Sequence, residues 1–463
     1  MLIPSWDRME AMMLGPQQVM QEALFYEFSL EGHVPSGHLL RRIDALMDFS
    51  EVRSHLAPFY SAIGRPSIDP ELMVRMLVVG YCLGIRSERR LCEEVHLNLA
   101  YRWFCRLGLD GAVPDHSTFS KNRHGRFRES GLLRHVFEMV LRRCIDSGLV
   151  GGDGFAIDAS LINADANRTE GGPASQGLDP AKTSRAIREY FDTLDDTAFG
   201  AASSAPPRFL SPSDPAARWT AAHHAPAVYA YSINYTVDVA NAVIVDVEGS
   251  TAIRQAEIEA AKRMIERVGD RFGMKPRKVI ADTAYGAAKT LDWLVNTQQI
   301  EPHIPVFDKG ERGEDRLSRS EFVYDAANDR YTCPAGRPLQ QYWTAARAAK
   351  ALPPKDDIYR YFARKQDCIG CPLKARCCPE TPSKKLMRSI HEEARDVARA
   401  IATTPEYKIS RCERKKVEMA FAHLKRILKL DRLRLRGPRG ANDEFLLAAT
   451  AQNLRKMAKL VPA

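Results

Sequence analysis

Glu418 lies in the run Arg411-Cys-Glu-Arg-Lys-Lys-Val-Glu-Met-Ala-Phe-Ala-His-Leu-Lys425. Wound as one helix at about 100° per residue, this run sets Arg411, Arg414, Lys425 and Lys429 within about 40° of Glu418. The same winding gathers Val417, Phe421, Leu424 and Leu428 on one flank. A carboxylate within a row of cations can hold a divalent metal while the cations hold phosphate. That arrangement suits cutting or joining nucleic acid. The plainer alternative is a solvated helix with i,i+4 pairs such as Arg414–Glu418.

Two further acids invite the same question. Asp158 sits in the strand-like stretch Phe155-Ala-Ile-Asp-Ala-Ser160, and Asp282 closes Lys278-Val-Ile-Ala-Asp where a strand runs into the turn Thr283-Ala-Tyr-Gly286. The three acids stand 124 and 136 residues apart, so only folding can bring them together. Two divalent ions roughly 3.5–4 Å apart need bridging carboxylate oxygens and would activate a water or a DNA 3′-hydroxyl. Oxygen ligands favour magnesium, with manganese a close substitute. With 58 Asp and Glu in the chain, each acid could equally be a cap or turn residue. Asp153, in Gly151-Gly-Asp-Gly154, is the rival to Asp158, but its setting ahead of the apolar run reads as a turn.

The cysteines form a second constellation. Cys368-Ile-Gly-Cys371 has metal-knuckle spacing, and Cys333 with Cys377 or Cys378 would complete four thiolates. Few large aliphatic residues surround them, so a structural metal could compensate for a thin core. Zinc is the first choice; an iron–sulfur cluster and plain reduced thiols are the alternatives. Cys82, Cys92, Cys105 and Cys144 fall in apolar helical patterns and read as small core residues.

The elements that must position these residues change character along the chain. Residues 1–150 read as helical: Asp69 caps and Pro70 opens an apolar helix, Ser87 caps the next, and another runs from about Leu132 to Asp146. Lys121, Arg123 and Arg126 make the connector before that last helix basic, compatible with DNA contact. Residues 151–307 read as a β-β-β-α-β-α-β order, with a hairpin at Ala230–Val239 and Asn241–Gly249 and a last edge strand at His303-Ile-Pro-Val-Phe307. This implies an α/β mixed sheet covered by helices. Residues 195–227, including Ala201-Ala-Ser-Ser-Ala-Pro-Pro207, read as a flexible insertion. Residues 308–400 read as a small cysteine-rich inserted unit, and 401–463 as helices returning to the core.

On these motifs the chain resembles the DDE transposases of bacterial insertion sequences, closest to the subgroup with a helical N-terminal domain and a cysteine-bearing insertion before the catalytic glutamate. Asp158 matches the acid on the first strand, Asp282-Thr-Ala-Tyr-Gly286 the Asp-x-x-Tyr-Gly turn, and Arg414, Glu418 and Lys425 a Tyr-x2-Arg-x3-Glu-x6-Lys signature. Arg411 stands where that signature has tyrosine. The resemblance implies an RNase H-like fold, with Asp158, Asp282 and Glu418 holding two magnesium ions. It also implies that Arg414 and Lys425 contact transposon-end DNA and that Tyr285 packs against a flanking base. The implied activity is hydrolysis and strand transfer at the element's inverted repeats, with a homo-oligomer on double-stranded DNA. A metal-dependent nuclease without strand transfer, or a catalytically idle DNA-binding protein, are the alternatives.

Charge agrees with a polyanion partner. The 463 residues carry a net charge of +9, and residues 411–440 hold eleven Lys/Arg against three Asp/Glu. No apolar run approaches the ~18 residues of a membrane span. Met1-Leu-Ile-Pro-Ser-Trp-Asp-Arg8 lacks the basic head and apolar core of a secretory signal. A cytoplasmic protein, nucleoid-associated when on DNA, is expected.

Overall fold

A computed structural model describes residues 28–61, 63, 67–167, 171–173, 184–199, 207–221, 226–307, 316–341 and 357–462. Most of the expected Ala201–Pro207 tract, and parts of the 308–400 unit, lie outside the described residues.

The N-terminal region is helical, as its caps dictate. Asp69 accepts from the Glu71 N–H, Pro70 fills the first turn, and α1 (Pro70–Leu83) ends at Gly84 in the left-handed region. Ser87 caps Glu88–Leu97. The basic stretch expected as a connector is itself helical over His116–His124, because Asp115 caps it through the Ser117 N–H. Leu132–Asp146 forms α2.

The mixed sheet has the expected order with one strand more, Arg218–Thr220, which lies in the 195–227 stretch expected as a flexible insertion. Its strands are β1 (Gly154–Asn163), β2 (Arg218–Thr220), β3 (Val228–Asp238), β4 (Ile244–Thr251), β5 (Lys278–Ile280) and β6 (Glu301–His303). They lie in the order β2-β3-β1-β5-β6, with β4 also paired to β3. β3 runs antiparallel to β1, β2 and β4, whereas β5 and β6 run parallel to β1. The last strand is at the edge as expected but ends at His303, two residues before Pro305. β6 instead carries Pro302, whose missing N–H an edge strand tolerates.

Helices cover both faces. α3 (Arg254–Phe272) packs on β3 and β4, and Thr236 of β3 touches Met264 of α3. Side chains alternate along a strand, so Tyr235 points to the other face. There it meets the C-terminal helices, reached through α4 (Glu392–Ala402) and α5 (Pro405–Glu413), namely α6 (Lys415–Arg426) and α7 (Gly437–Leu460). α7 is buried nearly all round, between β4 and the N-terminal helices α1 and α2. Asn453 pins it by bonding both the N–H and the C=O of Ile244.

A second antiparallel sheet runs through β7 (Val323–Asp325), β8 (Arg330–Thr332), β9 (Pro338–Gln341), β10 (Ile358–Ala363) and β11 (Lys385–Ser389). It has its own apolar cluster, including Leu317, Tyr331, Leu339, Tyr361 and Leu386.

The run around Glu418 departs from a single uninterrupted helix. α5 and α6 break at Arg414, and α6 ends at Arg426. Lys429 lies beyond it with φ +54°, so its expected angular place on the helix face does not hold. The apolar flank does: Val417, Phe421, Leu424 and Leu428 are all buried.

Candidate functional site

Asp158 is set by register. It stands opposite Tyr235 across the β1–β3 pair, and directly opposed residues share a face. The Tyr235 ring stacks on Phe421 of α6 at 4.9 Å, and its hydroxyl donates to Gln452 of α7 at 2.7 Å. Asp158 therefore faces the side that carries α6. Lys416 anchors α6 to the carbonyl of Val239, and Glu413 pairs with Lys278 of β5 at 2.8 Å. With Val417 buried beneath it, Glu418 emerges in the first turn of α6.

Asp282 follows β5 directly. Its carboxylate accepts from the Ala284 N–H at 2.8 Å and caps a single 3₁₀ turn, Thr283–Tyr285. The turn needs Gly286, where a Cβ would lie 2.0 Å from the Pro305 carbonyl oxygen. The spacing Asp-x-x-Tyr-Gly is thus cap, turn, buried ring and close backbone approach in succession.

The three acids share one electric field. Burial pushes the Asp158 carboxyl up to about 6, and the charges of Asp282 and Glu418 push the same way. The Ala159 N–H, 2.8 Å from Asp158 Oδ1, and Arg414 pull against them. A further buried acid, Asp238, accepts from the Gly152 and Ala240 N–H groups, whereas two others of the sheet are held by arginine. Asp246 pairs with Arg134 and Arg267, and Glu248 with Arg263 and Arg267. Among the described residues Asp158 has no ion-pair partner, while Arg414 is spent on Glu418 at 3.0 Å. Among those residues, too, no three His, Cys, Asp or Glu side chains converge as metal ligands do. The donors nonetheless fit a hard cation: hard oxygens, one strongly desolvated, without a protein cation to neutralise it.

The remaining expected contacts divide by exposure. Arg411, Lys429 and Lys121 are exposed, and Lys425 is half-buried, with burial lowering the pKa of its ammonium. Arg126 lies over the Tyr60 ring at 4.2 Å. Arg123 is buried in an ion pair with Glu88 and joins two helices. Tyr285 is only 4 % exposed, within the apolar cluster beneath α3, so its ring is packed by protein in this conformation. Asp153 is exposed and paired with Arg277 at 3.0 Å, holding the start of β1 rather than a site.

One acid at this end of the sheet has no counterpart in the sequence reading. Glu257 of α3 accepts from Ser232 at 2.5 Å, and burial raises its pKa, with the Asp282 charge adding to it. An acid in a helix's first turn looks like ordinary dipole compensation, so spacing gave no signal.

Cys333, Cys368, Cys371, Cys377 and Cys378 all line one small cavity beside the second sheet. Cys333 opens a tight turn: Gly336 adopts φ +74° and the Arg337 N–H points at the Cys333 sulfur at 3.3 Å. A sulfur receiving an N–H is suited to the thiolate state. Burial raises the Cys368 thiol and pushes Cys377 up to about 11, with Cys378 beside both. Lys374 approaches the Cys378 sulfur at 3.5 Å. These are soft donors around one void and fit zinc, though three sulfurs do not converge here.

Two family models match the chain. Residues 28–125 match a Transposase domain (DUF772), and residues 332–458 match a Transposase DDE domain. The second match includes Glu418 and the cysteines, whereas Asp158 and Asp282 fall between the two. No solved structure matches. The helical region and the later segment together give this chain the domain architecture of a DDE-family transposase.

Proposed function

We propose that the protein is a DNA transposase of an insertion sequence, acting by hydrolysis and strand transfer at the element's inverted repeats, with Asp158, Asp282 and Glu418 as its catalytic acids. The observation that carries this reading is the field at Asp158. Two acids remote in sequence, Asp282 and Glu418, press on one desolvated carboxyl, while Asp246 and Glu248 of the same sheet are neutralised by arginine. The strand order, β4-β3-β1 in antiparallel pairs followed by the parallel β5 and β6, with β2 as an extra antiparallel strand on β3, supports an RNase H-like core. Magnesium or manganese, when bound, supplies charge neutralisation at the phosphate and leaving oxygen. The chain's own residues do the rest. Asp158 and Asp282 present oxygens from a rigid strand and a capped turn, and Arg414 orients Glu418. Arg411, Lys425 and Lys429 meet the DNA backbone. Lys121 and Arg126 extend that basic surface, and Arg123 supports it through Glu88. Tyr285 would reach a base only if the turn opens.

In the same reading, the cysteine unit within residues 308–400 is held by one structural zinc on Cys333, Cys368 and Cys371. Cys377 is the fourth ligand, with Cys378, which lies against both Cys368 and Cys377, as the alternative. No helix among the described residues is long and apolar enough to cross a membrane. The proposed setting is the cytoplasm, as a homo-oligomer on double-stranded DNA.

The test is cleavage and joining on oligonucleotides bearing the element's ends. Asp158→Asn, Asp282→Asn and Glu418→Gln should each lose metal-dependent cleavage by orders of magnitude and keep DNA binding. Near-normal cleavage by any variant removes that residue. Cleavage without joined product reduces the assignment to a nuclease.

A further inference from the structure

We propose that the groove between the end of α1 and the segment 427–434 seats the phosphate backbone of duplex DNA, away from the three acids. This rests on the reading of the chain as a DNA-acting protein.

The groove is a built junction. At Gly84 a Cβ would come within 3.0 Å of the Ile427 carbonyl oxygen, so α1 meets this segment at backbone distance. Arg86 forms a buried ion pair with Glu444 of α7, and Arg455 donates to the Cys82 carbonyl at 2.7 Å. On the opposite wall, Asn163 at the end of β1 donates to the Asp431 carbonyl at 3.1 Å and accepts from Leu433 at 2.7 Å. Asn163 is five residues beyond Asp158, roughly 17 Å along a strand. The groove thus shares a rigid strand and Lys429 with the candidate site, but none of the three acids lines it.

Its charge is one-sided. The walls of this cavity of about 720 Å³ carry five Lys/Arg against Asp165 and Asp431. Arg86 is spent on Glu444, and Asp165 on Arg432 and Arg436. Arg90 is exposed, with only a surface partner in Glu94 at 3.1 Å. Lys429 and Arg434 are exposed and have no carboxylate partner among the described residues. Three free or weakly held cations, drawn from two distant segments and facing one open groove, match the spaced charges of a nucleic-acid backbone.

The experiment is duplex binding by fluorescence anisotropy, without divalent metal, across a salt series. It uses a labelled duplex of arbitrary sequence and the full chain. Arg90→Gln/Lys429→Gln/Arg434→Gln should weaken binding at least about tenfold and flatten the log–log salt slope by up to about 2.7. Arg364→Gln/Lys365→Gln/Arg376→Gln removes the same charge from an exposed part of the cysteine unit and should leave the slope unchanged. Thermal unfolding checks that both fold; if the groove triple does not, Arg434→Gln alone should flatten the slope by about 0.9. Equal losses from both triples, or none from the groove triple, overturn the groove while DNA binding stands. Displacement by polyglutamate as readily as by unlabelled duplex would assign the groove to an acidic polypeptide and overturn it too. A wild type that binds no duplex overturns both readings.

Discussion

Asp158→Asn should stabilise the metal-free protein. The carboxyl is desolvated and faces two other acids, which moves it from 3.8 to about 6. At ~1.36 kcal/mol per pKa unit, holding it ionised at neutral pH costs the fold about 3 kcal/mol. The sign follows from which state binds the proton more tightly. The folded state does, so the cost is absent below about pH 3.8, grows as pH rises, and is complete above about 6. Asparagine keeps the oxygen that accepts from Ala159 and removes the charge. Within a cooperative unit of 150–250 residues, about 3 kcal/mol corresponds to a rise of roughly 6–12 °C in Tm.

The assay is thermal unfolding in chelator at pH 7.5 and pH 5, then with added magnesium. Asp158→Asn should melt higher than wild type at pH 7.5, by about half that margin at pH 5. Magnesium should raise the wild type, by about 2.7 kcal/mol at a hundredfold excess over its Kd, and leave the variant nearly unmoved. A variant that melts below wild type in chelator would refute the reasoning, since the carboxylate would then be a stabilising partner. Equal magnesium shifts in both proteins would refute Asp158 as a ligand.

Other outcomes follow from the same geometry. Leu424→Ala, at a fully buried position on α6, should cost roughly 2–5 kcal/mol in denaturant unfolding. Lys425→Ala should leave stability within about 1 kcal/mol and weaken DNA binding instead. Protein purified without added metal should contain close to one zinc per chain by elemental analysis, and Cys371→Ser should lose it; iron with sulfide would replace zinc in the assignment, and neither metal would leave plain thiols. Single substitutions of Cys377 and Cys378 separate the fourth ligand: the one whose serine variant loses zinc is the ligand.

Local chemistry made much of the fold legible. Asp69 and Ser87 cap helices that open where their side chains reach the next N–H groups, whereas the helix that Asp115 caps reads in the sequence as a connector. The alternation through Ala230–Gly249 gave the hairpin, and the apolar flank of Val417, Phe421 and Leu424 is the buried flank of α6. The break at Arg414 and the left-handed Lys429 were not legible, because nothing in the run Glu413–Lys429 is a glycine or proline. Tertiary anchors flank the break: Glu413 is tied to Lys278 on one side, and Lys416 to Val239 on the other.

Candidate acids could be found by pattern, but their electrostatic state could not. Asp246 and Glu248 lie on a strand as apolar as that of Asp158, and the sequence does not distinguish them. What separates them is which arginines fold against β4: Arg134 from α2, and Arg263 and Arg267 from α3. The same principle demotes Arg123, which charge counting favoured, since Glu88 takes it. It also promotes Arg434, which looked like one cation among many. A charged residue contributes to function here when the fold withholds its partner. Pairing is decided by elements far apart in the chain, so it is the last thing a sequence discloses and the first thing that distinguishes a strut from a site.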